Sequence, residues 1–331
     1  MIRCGIFGFG KMGRIRAEAI EASGLGVVDR IVDPSMDSTH APCPVTNDVD
    51  DIFLNPAVDA VFVCTPNNLI PGFCKRALQA GKHVFSEKPP AFNTEQLQQV
   101  IKVEEDAGDR VLMYGFNHRQ HASIQRMKEI IDSAEMGKVL WMRGRYGKEV
   151  DESFFDGWRA NPELAGGGIF LDQGIHMLDL FLHLGGDFDQ AHSFVSNLYW
   201  RIDGIEDNVF AIFRDSKTGV CASLHSTMTQ WRYLFSLEVF LEGGALVLNG
   251  LKTSSGAYGS EDLAIKRNAS TDQSGAYVSE ERLVYEVDTS WTNEINAFFG
   301  AIDNRSLPRI GTSSEALKIM RLVDLVYQIR E

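Results

Sequence analysis

The stretch Gly8-Phe9-Gly10-Lys11-Met12-Gly13 (GFGKMG) decides how this chain folds. It follows an apolar β-type run, Ile2–Phe7, and opens a helical pattern over Lys11–Ala22. Between a strand and a helix each glycine has its own reason. The first permits the tight turn, the second lets a pyrophosphate approach the backbone, and the third lets helix pack on strand. The helix N-terminus then offers free N–H groups, here those around Lys11 and Met12, and a partial positive charge to phosphates. Alone the pattern is weak, because thirty glycines produce chance matches. Asp33 strengthens it: it ends the next strand-like run, Val27–Asp33, and lies 33 − 13 = 20 positions beyond the last glycine. A carboxylate there accepts from a ribose 2′-OH and repels a 2′-phosphate, which favours NAD, while Arg30 and Ser35 nearby keep NADP possible.

Working outward, the alternation of strand and helix continues. Ala60–Cys64 is a short apolar strand, Leu69–Ala80 a helix closed by Gly81, and His83–Ser86 another strand. Asn93-Thr-Glu-Gln96 opens a helix running to about Ala107, and Arg110–Tyr114 is a fifth strand. Such alternation predicts a doubly wound parallel sheet, a dinucleotide-binding domain over residues 1–118. Ligands of such sheets lie at the C-terminal strand edges. That places Thr65 and Asn67 near a ribose or nicotinamide, although both are also ordinary turn residues. Glu87-Lys88-Pro89-Pro90 follows the fourth strand, and two prolines stiffen the support of Lys88. Burial and a cationic nicotinamide nearby favour the neutral form of a lysine, which suits acid/base work.

From about Asn117 the pattern changes, and residues 119–331 are expected to form a substrate-binding and oligomerisation domain. His121–Ser133 is helical, Val139–Tyr146 is extended, and a helix follows Gly166–Gly168. Phe194–Trp200, Asn208–Arg214, Val220–Met228, Phe235–Leu241 and Leu283–Val287 then follow as strands without intervening helices. They predict a mostly antiparallel open sheet, giving an α/β domain. Gly256–Ser279 reads as a loop or long hairpin, and helices near Thr292–Ile302 and Ser314–Arg330 finish the chain.

The chain has 331 residues, 44% hydrophobic and 23% charged, with a net charge of −13, which excludes nucleic acid as a main partner. Five scattered cysteines, without CxxC spacing, suggest reduced thiols. With no secretory pattern and no apolar run long enough to span a bilayer, a cytoplasmic protein is expected.

The stretch GGGIFLDQGIHMLDL, Gly166–Leu180, sets Asp172 and His176 into an apolar run. Burying either group costs energy unless it finds a partner. Four positions apart, they share one helix face. Asp179 and His183 continue the spacing, but residues seven or eleven apart lie too far along a helix to share one ion, so no metal is expected. Arg159 can hold a substrate anion or a loop salt bridge. Asn117, His118 and Arg119 fall at the domain junction. Trp231 and Tyr233 can stack on a sugar face or fill the core.

GFGKMG with Asp33, the EKPP motif and GGGIFLDQGIHMLDL together resemble the glucose–fructose oxidoreductase / inositol dehydrogenase / rhizopine-catabolism (Gfo/Idh/MocA) family of NAD(P)-dependent oxidoreductases. The resemblance covers nearly the whole chain. It implies a Rossmann domain and a second α/β domain whose sheet makes homodimers or homotetramers. It implies that Glu87 and Lys88 lie by the nicotinamide, and that Lys88, His176 and Asp172 are catalytic. Asn117, Arg119 and Arg159 are the further candidates for binding substrate. The implied reaction moves a hydride between nicotinamide and a secondary hydroxyl or ketone of a sugar, inositol or nucleotide sugar. A glycoside hydrolase using NAD transiently, or a non-catalytic dinucleotide-binding regulator, are the other readings of the same fold.

Overall fold

A computed structural model describes residues 1–36, 41–253, 255–268, 280–305, 308 and 310–328. The chain divides into two units, the first made of Met1–Asn117, Glu163–Gly166 and Ser290–Arg321. Its strands are β1 (Ile2–Phe7), β2 (Gly26–Val32), β3 (Val45–Thr46), β4 (Ala60–Val63), β5 (His83–Ser86) and β6 (Leu112–Tyr114). They pair in parallel in the order β3-β2-β1-β4-β5-β6. That is the dinucleotide-binding order, and the strand sequence reverses between β1 and β4. Phe7 and Val63 are partners at this switch point. The expected fifth strand is β6; the two-residue β3 is additional and too short to leave a periodic signal.

Parallel strands are covered on both faces, so β4 and the buried half of β1, Cys4–Phe7, read as continuous apolar runs. Helix Lys11–Ser23 buries Ala17, Ala19 and Ile20 against them. The helix Ser290–Asp303 adds Ile295, Phe298 and Phe299 to the same core, with Phe298 edge-on to Phe62 at 5.6 Å and to Phe85 at 5.5 Å. Residues 290–321 therefore pack with the first unit, whereas a division at 118/119 assigns them to the second. Asn93 accepts from Gln96 N–H at 2.9 Å, the cap its sequence announces.

The second unit comprises His118–Pro162, Gly167–Thr289 and the chain from Leu322. Its strands are β7 (Val139–Glu149), β8 (Gln190–Ser196), β9 (Asn208–Arg214), β10 (Cys221–Thr227), β11 (Thr229–Leu241), β12 (Gly244–Asn249), β13 (Glu261–Arg267) and β14 (Glu281–Tyr285). The order is β14-β13-β12-β11-β7-β10-β9-β8, antiparallel except for the β7–β10 pair. The strand expected at Phe194–Trp200 begins and ends earlier. Asp207 accepts the N–H groups of Tyr199 and Trp200 at 2.7 and 3.1 Å, turning the chain after Ser196. β13 lies inside the segment expected as a loop or long hairpin, and its antiparallel pairing with β14 agrees with the hairpin. Residues 269–279 of that segment, and the last residues of the final expected helix, lie outside the described residues.

The glycine-led helix begins with a widened turn, Phe170–Gly174, and continues as Ile175–Leu184. It lies flat on β7: a Cβ on Gly144 would stand 2.5 Å from Met177. Gly168 is tied down as well, since Glu206 accepts its N–H at 2.7 Å and that of Phe170 at 3.0 Å. No helix among the described residues is long and apolar enough to cross a membrane.

Candidate active site

In the first unit the glycine turn is shaped by close backbone approach. Gly8 has φ of +84°, and a Cβ there would meet Cys64 O at 2.6 Å; a Cβ on Gly13 would meet Gly8 O at 2.2 Å. Gly10 faces open space, with nothing within 4 Å of its Cβ position. The first helical bond runs from Arg14 N–H to Gly10 C=O at 3.1 Å. It leaves the N–H groups of Lys11, Met12 and Gly13 at the helix mouth. A closed turn with one open face fits a pyrophosphate.

Asp33 stands beside this turn. Its Oδ2 accepts Phe9 N–H at 2.7 Å, and its Oδ1 accepts Ser35 N–H at 2.9 Å and Ser35 O–H at 2.7 Å. Burial pushes the carboxyl pKa up, but the Phe9 and Ser35 bonds outweigh it and hold the group below its ordinary range. An ionised Asp33 disfavours a phosphate, and Ser35, expected as a phosphate helper, is committed to it. Arg30 lies 4.0 Å from Asp51. At the end of β4 the hydroxyl of Thr65 is buried with no hydrogen-bond partner among the described residues. A polar group in that condition costs about 1–3 kcal/mol unless a ligand satisfies it, which agrees with a cofactor-facing role. Asn67 Nδ2 donates to Ala165 C=O at 2.9 Å and so secures the chain locally.

Glu87, expected at the cofactor, is buried and accepts from Arg16 Nε at 2.6 Å. The wholly buried Arg16 also donates to Glu294 at 2.7 Å and lies over the rings of Phe85 and Trp291. Glu87 thus anchors the backbone leading to half-buried Lys88. A cis peptide joins Lys88 to Pro89. Asn117 is buried and donates to Ser290 Oγ at 3.1 Å.

In the second unit Asp172 gathers cations. Lys148 Nζ lies 2.6 Å from its Oδ2 and Arg159 Nε 3.3 Å from its Oδ1. A carboxylate flanked by two cations offers both an acceptor and donors to oxygen-rich ligands. His176, one turn on, is buried with its ring stacked on His118 at 3.9 Å and 20°. His118 Nε2 lies 3.0 Å from the Tyr146 hydroxyl. Burial, then Tyr258 and Asp172, raise the Tyr146 phenol well above its ordinary range, so it stays protonated. Gln173 donates to Tyr258 Oη at 2.6 Å.

Arg119, expected to bind substrate, does something else. It is 3% exposed and forks onto Asp179, itself fully buried, with Nε at 2.9 and 2.8 Å and Nη2 at 2.5 Å from the carboxylate. Asp179 is therefore this arginine's counterion. Sequence reasoning missed Lys148, Tyr146 and Tyr258. A usable signal existed for the first two: Met142, Gly144, Tyr146 and Lys148 alternate along β7 onto the face that carries the helix.

Residues 2–116 match the family model described as oxidoreductase family, NAD-binding Rossmann fold, and residues 124–247 match the GFO/IDH/MocA C-terminal domain. The chain is 34% identical over 156 residues to the D-glucoside 3-dehydrogenase of Escherichia coli (strain K12), covering 45% of this chain and 43% of that protein. It is 30% identical over 208 residues to the 1,5-anhydro-D-fructose reductase of Ensifer adhaerens, covering 62% and 61%. The matched stretches thus span about half the length of these relatives. A levoglucosan dehydrogenase solved in complex with NADH and levoglucosan aligns with a TM-score of 0.87 at 20% identity, over 99% of this chain and 96% of that one. A 3-ketoreductase from Actinomadura kijaniata, in complex with NADP and TDP-benzene, gives 0.84 at 23% identity, over 100% and 98%. At these identities the structural likeness speaks for the fold.

Proposed function

We infer the activity from a premise supplied by the two matched models: the chain belongs to the Gfo/Idh/MocA family of oxidoreductases. The reading is an NAD-dependent dehydrogenase or reductase acting on a secondary hydroxyl or ketone of a sugar, inositol or nucleotide sugar. The observation that carries it is Asp172 held between Lys148 and Arg159, one helical turn before His176. This is a preorganised set of acceptors and donors for vicinal hydroxyls. The relatives named as sugar oxidoreductases point the same way.

When bound, the dinucleotide supplies the hydride acceptor or donor. Gly8, Gly10 and the N–H groups of Lys11, Met12 and Gly13 would hold its pyrophosphate. Asp33 would accept from the ribose hydroxyls and disfavour a 2′-phosphate, and Thr65 O–H would bond the ribose or nicotinamide. For the oxidised alcohol, Lys88 takes the hydroxyl proton as its C–O bond becomes a carbonyl, and returns it in reduction. His176 bonds the reacting oxygen and Asp172 accepts from the adjacent hydroxyl.

Self-association through the second sheet belongs to the same reading. Phe194, Phe210 and Ile212 are 83%, 50% and 57% exposed on β8 and β9, an apolar face of the kind that seeks a partner.

The deciding experiment offers sugars, inositols and nucleotide sugars with NAD or NADP and follows reduced cofactor by absorbance. Stoichiometric NADH release, with NAD preferred, is expected. Glycoside cleavage without net NADH would indicate the hydrolase reading, and binding without turnover the regulator.

A further inference from the structure

The ladder between β7 and β11 is interrupted twice, and the wider gap falls opposite Lys148. Between the pairs Thr229–Glu149 and Leu234–Gly147, residues 230–233 of β11 stand against Lys148 alone. Insertions of this kind re-aim side chains beside ligand sites. Here they carry Trp231 and Tyr233 outward, 51% and 37% exposed. Trp231 has φ of +57°, a conformation that a bulky side chain rarely adopts. Its indole meets Tyr199 edge-on at 4.7 Å, Tyr199 meets Trp200 edge-on at 5.0 Å, and Phe155 reaches Trp200 at 5.8 Å.

Two of these rings, Tyr199 and Trp200, stand on held backbone. The fully buried Asp207 holds the N–H groups of Tyr199 and Trp200, and Trp200 Nε1 donates to Met228 C=O at 3.4 Å. The cluster adjoins the Asp172 group in the chain, since Trp231 lies in the insertion opposite Lys148. Phe154, adjacent to Phe155, has its ring 6.0 Å from Lys148 Nζ, and Trp158 carries the guanidinium of Arg159 at 4.4 Å. Exposed Arg201 and Arg232 interrupt the apolar surface. Open aromatic faces with charged residues at their margin suit a pyranose, whose C–H face is apolar and whose hydroxyl rim is polar.

We propose that Phe155, Tyr199, Trp200 and Trp231 form a second carbohydrate subsite. The substrate is then a disaccharide or glycoside whose reacting ring lies at Asp172 and whose neighbouring ring stacks on Trp231. This rests on the sugar-oxidoreductase reading above.

The test titrates intrinsic tryptophan fluorescence of the full chain with cellobiose, maltose and trehalose, with glucose as the single-ring control. NADH formation is followed with the same four sugars. At least one disaccharide should bind tenfold or more tightly than glucose. Trp231→Gly, which suits the left-handed backbone, should bring that ratio within about twofold of unity, and Tyr199→Leu should lower it severalfold. Equal affinities in the unaltered protein, or a ratio that survives both replacements, would overturn the subsite. Turnover of glucose and disaccharides with equal kcat/KM overturns it while sparing the oxidoreductase reading. Selective disaccharide binding that depends on Trp231, with no NADH from these four sugars, supports the subsite and leaves the oxidoreductase reading to the wider screen of inositols and nucleotide sugars.

Discussion

Lys148 Nζ lies 2.6 Å from Asp172 Oδ2 because one strand face and one helical turn are in register. Lys148 ends the inward-facing row of β7, and Gly144 in the same row lets the helix approach closely enough for the two charges to meet. A charge-assisted bond of this kind fixes the carboxylate for recognition of a hydroxyl. Lys148→Ala should lower kcat/KM by about 10–100-fold, or ~1.4–2.7 kcal/mol, chiefly through KM. Lys148→Arg should recover part of it. Steady-state kinetics that do not change in the alanine variant would show that Lys148 does not position Asp172 for substrate.

Lys88 is assigned the proton. The backbone before it is held by Glu87, whose partner Arg16 is wholly buried and shared with Glu294. Position is thus set by neighbours that Lys88→Ala leaves in place. The variant should lose roughly 10²–10⁴ in kcat, the range for a general acid/base. Affinity for NADH, followed by its own fluorescence, should stay within about threefold. Full turnover in this variant is incompatible with the mechanism.

The fold was legible where local chemistry and topology coincide. GFGKMG with Asp33 announced the strand–turn–helix and its carboxylate, and the structure adds what Asp33 holds, namely Phe9 N–H and Ser35. Asp172 and His176 were legible as costly groups in an apolar run. Lys148 was legible only as the last member of the alternating row Met142, Gly144, Tyr146 and Lys148, and which helix that row meets has no mark nearby in sequence. Arg119 misled for the opposite reason: its position in the chain suggested a ligand, while its counterion lies sixty residues on (179 − 119 = 60). β13 was half legible: a loop or long hairpin was open for Gly256–Ser279, but its charged ends left the strand's position unmarked. Packing of Ser290–Asp303 on the first sheet is a tertiary fact with no local mark.

The Arg119–Asp179 pair makes a distinct prediction. Removing one member of a buried ion pair leaves a charge stripped of its main partner, at a cost of about 3–5 kcal/mol. Arg119→Met should therefore lower the thermal midpoint by several degrees. Arg119→Met with Asp179→Leu should recover much of the loss, since neither charge then remains. If Arg119 instead binds substrate, the single variant will raise KM at an unchanged midpoint.

His83 gives the first unit a sensitivity to acid. Its Nδ1 accepts Val111 N–H at 3.0 Å, which requires the lone pair of a neutral ring, and Arg110 Nη1 lies 3.5 Å from its Nε2. Burial first and Arg110 second lower its pKa from 6.5 to about 4, against smaller opposing pulls from Asp109 and Asp59. The folded value lies below the unfolded one, so the unfolded chain binds the proton more readily. Stability from this group is fully present above about pH 6.5 and is lost as pH falls towards 4. Discounted for the ring's partial exposure, the loss amounts to ~1–2 kcal/mol. His83→Asn offers an oxygen to Val111 N–H but cannot titrate in this window. Its thermal midpoint should fall less than that of the unaltered chain between pH 7 and 4.5, because the remaining carboxylates act on both proteins alike. Parallel curves for the two proteins would show that His83 is not the group responsible.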